Sequence, residues 1–316
     1  MFSQYSLTDA TQQALSFLQS QVAYIEPQVY EVQYPDILYK QLVPVDTSAS
    51  EWAPTIMFYS ADKFGAAQWF NHMADDMPVG DVRRSSFYHP VEMAGIGYRY
   101  TLEELGQAQM INRSITTDRA NAARRAAEEF LDNATLRGDP IKGWTGLFND
   151  GAITIQTIPA DGSGSSTAFS TKTPAQIMRD VNSALAGIYT ASQTVELADT
   201  ILFPIQVATY LAATQLTNTT MTLWQWVERN NQYTFQTGQP ILIRGVRGLD
   251  TAGAGGITRA VFYRRDPTVV KVHIPMPHRF MPVYQSGPIK FDIPGIFRFG
   301  GLEIRRPGAV RYMDGV

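Results

Sequence analysis

Two segments of the chain are composed like strands and leave their side chains nowhere local to go. Thr55-Ile56-Met57-Phe58-Tyr59-Ser60 and Ser86-Phe87-Tyr88-His89-Pro90-Val91 are rich in aromatic and β-branched residues, the types that suit a pleated surface. Between them lie Phe64-Gly65-Ala66-Ala67-Gln68-Trp69-Phe70 and an acidic-to-basic passage from Asp75-Asp76 to Arg83-Arg84. The pattern predicts a long two-stranded excursion over residues 46–100, its return running on into Gly97-Tyr98-Arg99-Tyr100. Large aromatics at the far end of a hairpin have no local core to enter. Phe64, Trp69, Phe70 and Tyr88, with Arg83 and Arg84 as charged partners, are therefore the candidate docking residues, since aromatics and arginine dominate contact hot spots. A Trp69 packed inside its own subunit is the alternative, because tryptophan is commonly buried.

Composition agrees with a chain that covers its surface with partners. Hydrophobic residues make up 44% of the 316 positions and charged residues only 17%, against a usual charged share of about 25%. The length suggests about two domains. Arginine outnumbers lysine 20 to 6, which suits buried ion pairs, although a compositional habit of the genome accounts for the same count. A formal charge of −3 excludes a strongly basic nucleic-acid coat. There is no cysteine, so disulfides, thiolate metal sites and cysteine nucleophiles are all excluded. The N-terminus lacks the pattern of a signal peptide. The most apolar window, 198–213, is broken by Asp199 and Pro204 and too short to span a bilayer. The expectation is a soluble protein made in the cytoplasm.

Ahead of the excursion, residues 1–45 read as an arm. A helical rhythm through Ala14, Leu15, Leu18 and Val22 gives way to a Val- and Tyr-rich run punctuated by Pro27, Pro35 and Pro44, as in an extended strap. After the excursion, Thr101-Leu102-Glu103-Glu104 is a capping box. Its helix breaks near Asn112 and restarts at Thr117 or Asp118, then keeps one face through Ala120, Ala123, Ala127, Phe130, Leu131 and Ala134 as far as Gly138-Asp139-Pro140. Thr173-Pro174-Ala175-Gln176 opens another helix with an Ile177, Val181, Ala184, Leu185 and Ile188 stripe. Then come a strand at 200–203, helices after Pro204 and around 223–228, and strands at 241–243, 261–263, 269–273, 289–293 and 302–304. Helix and strand interleave without a strict βαβ rhythm, which argues an α+β class.

Catalytic signals are weak. No nucleophile elbow, phosphate loop or His-Glu-x-x-His is present. The glycine-rich stretch containing Gly248, Asp250, Gly253, Gly255 and Gly256 lacks the lysine of a phosphate cradle and reads as a flexible loop. His72, His89, His273 and His278 are scattered, and adjacent Asp75 and Asp76 diverge in a strand. Neither an enzyme nor a metal or cofactor site is expected.

Four stretches, in order, resemble a known family. They are 98–104, where the hairpin return meets the helix; 126–131 with Leu136-Arg137-Gly138-Asp139; Gly143-Trp144-Thr145-Gly146-Leu147-Phe148-Asn149; and Arg298-Phe299-Gly300-Gly301-Leu302-Glu303-Ile304-Arg305-Arg306-Pro307. Together they resemble the Hong Kong 97 (HK97-like) phage capsid fold, shared by tailed-phage major capsid proteins and encapsulins. The resemblance implies an N-terminal arm (1–45), an extended loop (46–100) and a peripheral domain with a spine helix (101–174). An axial domain (175–285) and a C-terminal return (286–316) complete it. It implies a major capsid protein that assembles pentamers and hexamers of an icosahedral shell around double-stranded DNA, or alternatively an encapsulin-type compartment enclosing cargo enzymes. Implied partners are further copies, a portal protein, a possible separate scaffold, decoration proteins and weakly contacted DNA, with no membrane; the implied location is the virion, after synthesis in the host bacterial cytoplasm. Two departures stand out: the helix break near Asn112, and the lack of a long N-terminal scaffolding segment. Some relatives cross-link lysine to asparagine, but only Lys63 lies near the hairpin tip, which argues against that chemistry here.

Overall fold

The computed structural model describes residues 36–67, 69, 79–104 and 115–316. The rhythm expected at 14–22, Phe70, the Asp75-Asp76 pair and the helix break at Asn112 lie outside the described residues. The first half of the described chain runs α1 (Tyr39–Leu42), β1 (Val45–Asp46), β2 (Thr55–Phe64), β3 (Asp81–Pro90), β4 (Glu92–Gly95), β5 (Tyr98–Thr101), α2 (Ile115–Arg137) and β6 (Ile155–Gln156). It continues α3 (Pro174–Ala191), β7 (Thr200–Pro204), α4 (Ile205–Ala213), α5 (Leu223–Arg229), α6 (Gln232–Thr237), β8 (Leu242–Val246) and β9 (Arg259–Tyr263). The last strands are β10 (Val270–His273), β11 (Met276–Phe280), β12 (Tyr284–Gly287), β13 (Lys290–Ile293), β14 (Gly295–Phe299), β15 (Leu302–Ile304) and β16 (Val310–Asp314).

The organising element is a five-stranded sheet in the order β6-β16-β9-β7-β8. Its central strands β7 and β9 are buried along their whole length, and the pleat sends alternate side chains to opposite layers. Leu202, Val261, Tyr263, Val310 and Tyr312 enter one core with Ala127, Leu131 and Ala134 of α2. Ile201, Phe203, Ala260, Phe262 and Met313 enter a second core with Ile177, Val181, Leu185 and Ile188 of α3. Burying one such aliphatic or aromatic side chain contributes about 1.5–3 kcal/mol, so a one-residue slip of β9 would exchange the two layers and forfeit both.

Local chemistry sets the helix limits. α3 starts where expected, with Pro174 in its first turn, and adds a capping box: Thr173 accepts from the Gln176 backbone, and the Gln176 side chain accepts from the Thr173 N–H at 2.8 Å. α2 is already helical at Ile115, where the described residues resume, and ends on Gly138, whose φ is +75° and whose N–H reaches Ala134 O at 3.0 Å. A Cβ on Gly138 would lie 2.2 Å from Trp144 O, so glycine is required there twice over.

The segment boundaries read from the sequence do not follow the cores. From Ile37 onward the expected arm is part of the body: Tyr39, Leu42 and Val43 are buried in the first core, and β1 pairs in parallel with β10. The reason is local. Asp132 of α2 accepts the N–H groups of Leu38 and Tyr39 at 2.9 and 2.8 Å, which holds the turn against the helix. The hairpin also ends sooner than expected. β4 and β5 leave it and pair with β14 and β13, giving their hydrogen bonds to the C-terminal half of the chain.

Candidate intersubunit interface

β2 and β3 pair antiparallel over ten residues, from Thr55 opposite Pro90 to Phe64 opposite Asp81. Only the root is covered. Ile56, Phe58 and His89 are half-buried, while every other residue of the two strands is exposed. The outer part of the ribbon therefore has solvent on both faces and on both edges. A two-stranded ribbon of this kind is marginal by itself, and its free edges and apolar side chains are a template for another surface.

The register sorts the side chains. One face carries Ile56, Phe58, Ser60, Asp62 and Phe64 with His89, Phe87, Ser85, Arg83 and Asp81. The opposite face carries Met57, Tyr59, Ala61 and Lys63 with Tyr88, Ser86, Arg84 and Val82. The sequence-nominated residues are thus split: Phe64 and Arg83 point one way, Tyr88 and Arg84 the other. Arg83 faces Asp62 directly, whereas no acidic residue shares the face of Arg84 and Lys63. That second face combines exposed Met57, Tyr59 and Tyr88 with two cations, a surface suited to an apolar partner with acidic edges. Trp69, beyond the strand ends, is fully exposed; burial within its own subunit is not what the structure has. Met57 and Tyr59 were not singled out in the sequence, though their alternation with Phe58 was the available signal.

The root is clamped from the body. Arg298, 8% exposed, donates to Glu51 O at 2.9 Å, just before β2, and to Val91 O at 3.2 Å, just after β3. One buried guanidinium thereby joins both legs of the hairpin to β14. Val91 N–H also donates to Pro54 O at 3.0 Å. Nothing local in the sequence marks Arg298 for this task, because its partners are carbonyls.

The glycine-rich loop lies elsewhere, between β8 and β9. Gly248, Gly255 and Gly256 adopt positive φ, but the loop is anchored. Leu249 is buried in the first core, Leu249 O accepts from Arg259 N–H at 2.9 Å, and Gly253 N–H donates to Ile257 O at 2.8 Å. Asp250 presents a buried oxygen without a partner. Among the described residues no group of three His, Asp or Glu side chains is arranged to hold a metal, and no described helix is long and apolar enough to cross a membrane.

One family model matches the chain, and solved structures share its fold. The family described as "Major capsid protein" matches residues 65–316. Among solved structures, the capsid of Myoviridae Phage XM1 superposes with a TM-score of 0.75 at 15% identity, covering 94% of this chain and 97% of that one. The capsid of an empty GTA particle gives 0.61 at 14% identity, with 93% and 98% covered. Mycobacterium phage Ogopogo gives 0.58 at 12% identity, with 92% and 96% covered. No curated protein matches the chain. At these identities the structures speak for a shared fold, and the family match speaks for the kind of protein.

Proposed function

The chain belongs to the major capsid protein family of tailed phages, a structural family of the virion shell, and from that premise we propose that its copies assemble into pentamers and hexamers of an icosahedral shell enclosing double-stranded DNA. The cargo-enclosing compartment considered from the sequence is not what the family match supports. The carrying observation is the ten-pair ribbon that leaves the body with Tyr59, Tyr88 and Phe64 exposed and Trp69 bare beyond its end. Such side chains stabilise only when seated on a neighbour, and symmetry repeats the contact around a closed shell.

In this reading α2 is the spine of the peripheral domain, the α3–β9 region is the axial domain, and the C-terminal strands return to the peripheral part. The protein has no catalytic role and uses no cofactor. A portal protein, a separate scaffold and decoration proteins are its further partners, and the subunit is made in the host bacterial cytoplasm. A formal charge of −3 favours a nearly neutral lining along which packaged DNA slides.

Light scattering with negative-stain microscopy tests the assembly reading. Closed shells, or pentamers and hexamers, are the expected result, if necessary with scaffold co-expressed. Trp69→Asp is expected to give a soluble subunit that forms none. Normal particles from that variant would remove Trp69 from the docking contact, and a parent protein that never assembles with its neighbouring gene products would overturn the shell reading.

A further inference from the structure

Beneath the root of the ribbon lies a cluster of ionisable side chains that docking does not use. On β10, Lys271 Nζ stands 2.5 Å from Asp46 Oδ2, and His273 Nε2 stands 2.5 Å from Glu303 Oε2. His273 and Glu303 are each 1% exposed. His273 Nδ1 has no hydrogen-bond partner and lies 3.6 Å from the same Asp46 oxygen. Glu303 also accepts from Arg305 Nε at 2.6 Å. The Arg305 guanidinium then lies 4.7 Å from the ring centre of Phe58, on the ribbon. Phe58 stacks on Phe87 at 5.1 Å and on His89 at 6.1 Å, and His89 stands 6.1 Å from the His273 ring. The approach is close because position 300 is glycine: a Cβ there would meet His273 Cβ at 3.0 Å and Val91 Cγ2 at 3.3 Å.

Both acids of the cluster are committed. Burial alone would raise the Asp46 carboxyl, but hydrogen bonds from Lys271 and Ser48 hold it below the usual carboxylate range. Burial acts likewise on Glu303, and bonds from His273 and Arg305 outweigh it. His89 is different. Burial pushes its ring below the ordinary histidine value; Glu303 opposes this, while His273, Arg305 and Lys271 add to it.

We propose that Arg305, seated on Glu303 and stacked on Phe58, is the positioning residue that fixes the angle at which the ribbon leaves the body, and that a proton arriving at His89 releases this hold. A charged His89 would face Lys271 and Arg305, with Asp46 and Glu303 already paired to those same cations, so the ring gains by swinging to water and lifting β3. The packed arrangement binds fewer protons than the released one. The hold is therefore complete above about pH 6.5 and is lost as pH falls through the lower packed value. Its bearing on assembly rests on the docking role proposed above; the hinge itself does not.

The absence of cysteine makes the test direct. Ser86→Cys on the ribbon and Asn133→Cys on α2, both at exposed positions, each take one spin label in the otherwise intact chain. The distance between them is read by pulsed electron paramagnetic resonance on unassembled Trp69→Asp subunits at about pH 8 and about pH 5, either side of the ordinary histidine value. The expected result is a narrow distance at the higher pH and a broadened or displaced one at the lower. His89→Gln should stay narrow at both, and Arg305→Gln should be broad at both. Phe58→Leu keeps the ion cluster and removes the ring on which Arg305, Phe87 and His89 all rest, so it replaces Arg305→Gln if that variant fails to fold. An unchanged distance in the parent across pH, an acid response that persists in His89→Gln, or a parent-like distance in the folded stack variant would each overturn the proposal. Particle formation by Trp69→Asp, seen by light scattering, would reject the docking contact, and the distances would then be read on subunits separated from the particles by size exclusion, which judges the hinge by itself.

Discussion

Arg259 and Asp314 form a two-pronged ion pair across the β9–β16 ladder, with Nε 2.6 Å and Nη2 2.7 Å from the two carboxylate oxygens. Their side chains are only 7% and 9% exposed. The remaining guanidinium nitrogen donates to Phe148 O at 2.8 Å, and the group lies 4.3 Å from the ring centre of Tyr312. Every polar partner of the arginine is thus supplied within the sheet and its flanking loop. Removing one partner of such a pair leaves a buried charge and costs about 3–5 kcal/mol. Asp314→Asn is expected to lower stability by that amount, read as an earlier urea midpoint with unchanged slope. The double change Arg259→Met with Asp314→Leu should recover much of the loss, since a packed apolar pair is often as stable.

A second prediction concerns the capping box at the start of the helix that follows β5. Thr101 N–H donates to Glu104 Oε2 at 3.1 Å, and Glu104 N–H to Thr101 Oγ1 at 3.3 Å. Arg119 of α2 grips the same carboxylate at 2.8 and 3.1 Å. Hydrogen bonds from Arg119 and then from the Thr101 backbone hold the Glu104 carboxyl down at about 2. A depressed carboxyl favours the folded state above its free value and loses that effect as pH falls through the folded one. The contact should persist at pH values where free glutamates are already protonated, and the Glu104 carboxyl carbon should titrate near 2 by NMR. In Arg119→Met it should move back toward the ordinary glutamate range; a titration near that range in the parent would reject the clamp.

How much of this was legible in the sequence depends on how far apart the partners lie. The β2–β3 pairing was readable because aromatic and β-branched residues recur on both strands, and Thr173-Pro174-Ala175-Gln176 named its own helix start. β11, β12, β14 and β16 were missed, because Pro277, His278, Gln285, Arg298 and Arg311 interrupt any apolar run. α6 was missed too: it is six residues long and is announced only by its Asn231 cap. The root of the interface was invisible for a different reason. Arg298 and Arg305 look like any arginines in a basic closing strand, and the backbone oxygens, carboxylate and ring they hold are identified only once the C-terminal strands return beside β3.

The two arginines near the ribbon tip should behave differently although they are neighbours in the chain. Arg83 stands opposite Asp62, whereas Arg84 stands opposite Ala61 on a face without acids. If that face meets an acidic neighbour, Arg84→Glu should slow assembly more than Arg83→Glu. Added salt should blunt the parent's assembly rate and narrow the gap between the variants, because exposed charges are screened within about 10 Å at 0.1 M. Light scattering time courses at two ionic strengths decide it, and equal effects of both substitutions would remove the face preference.

The clamp that joins both legs of the hairpin also has a calendar. Arg298 lies 247 residues beyond Glu51, one of the two carbonyls it holds. At a synthesis rate of about 5–20 residues per second, it emerges roughly 10–40 seconds after the ribbon is completed at Pro90. Throughout that interval the nascent chain displays Tyr59, Phe87, Tyr88 and two open strand edges with no Arg298 to hold the root. On a polysome, where sister chains lengthen side by side, those edges lie within reach of one another before Arg298 has emerged to clamp the root. The root of the ribbon is therefore the last part of it to be secured, although the ribbon itself is among the first parts made.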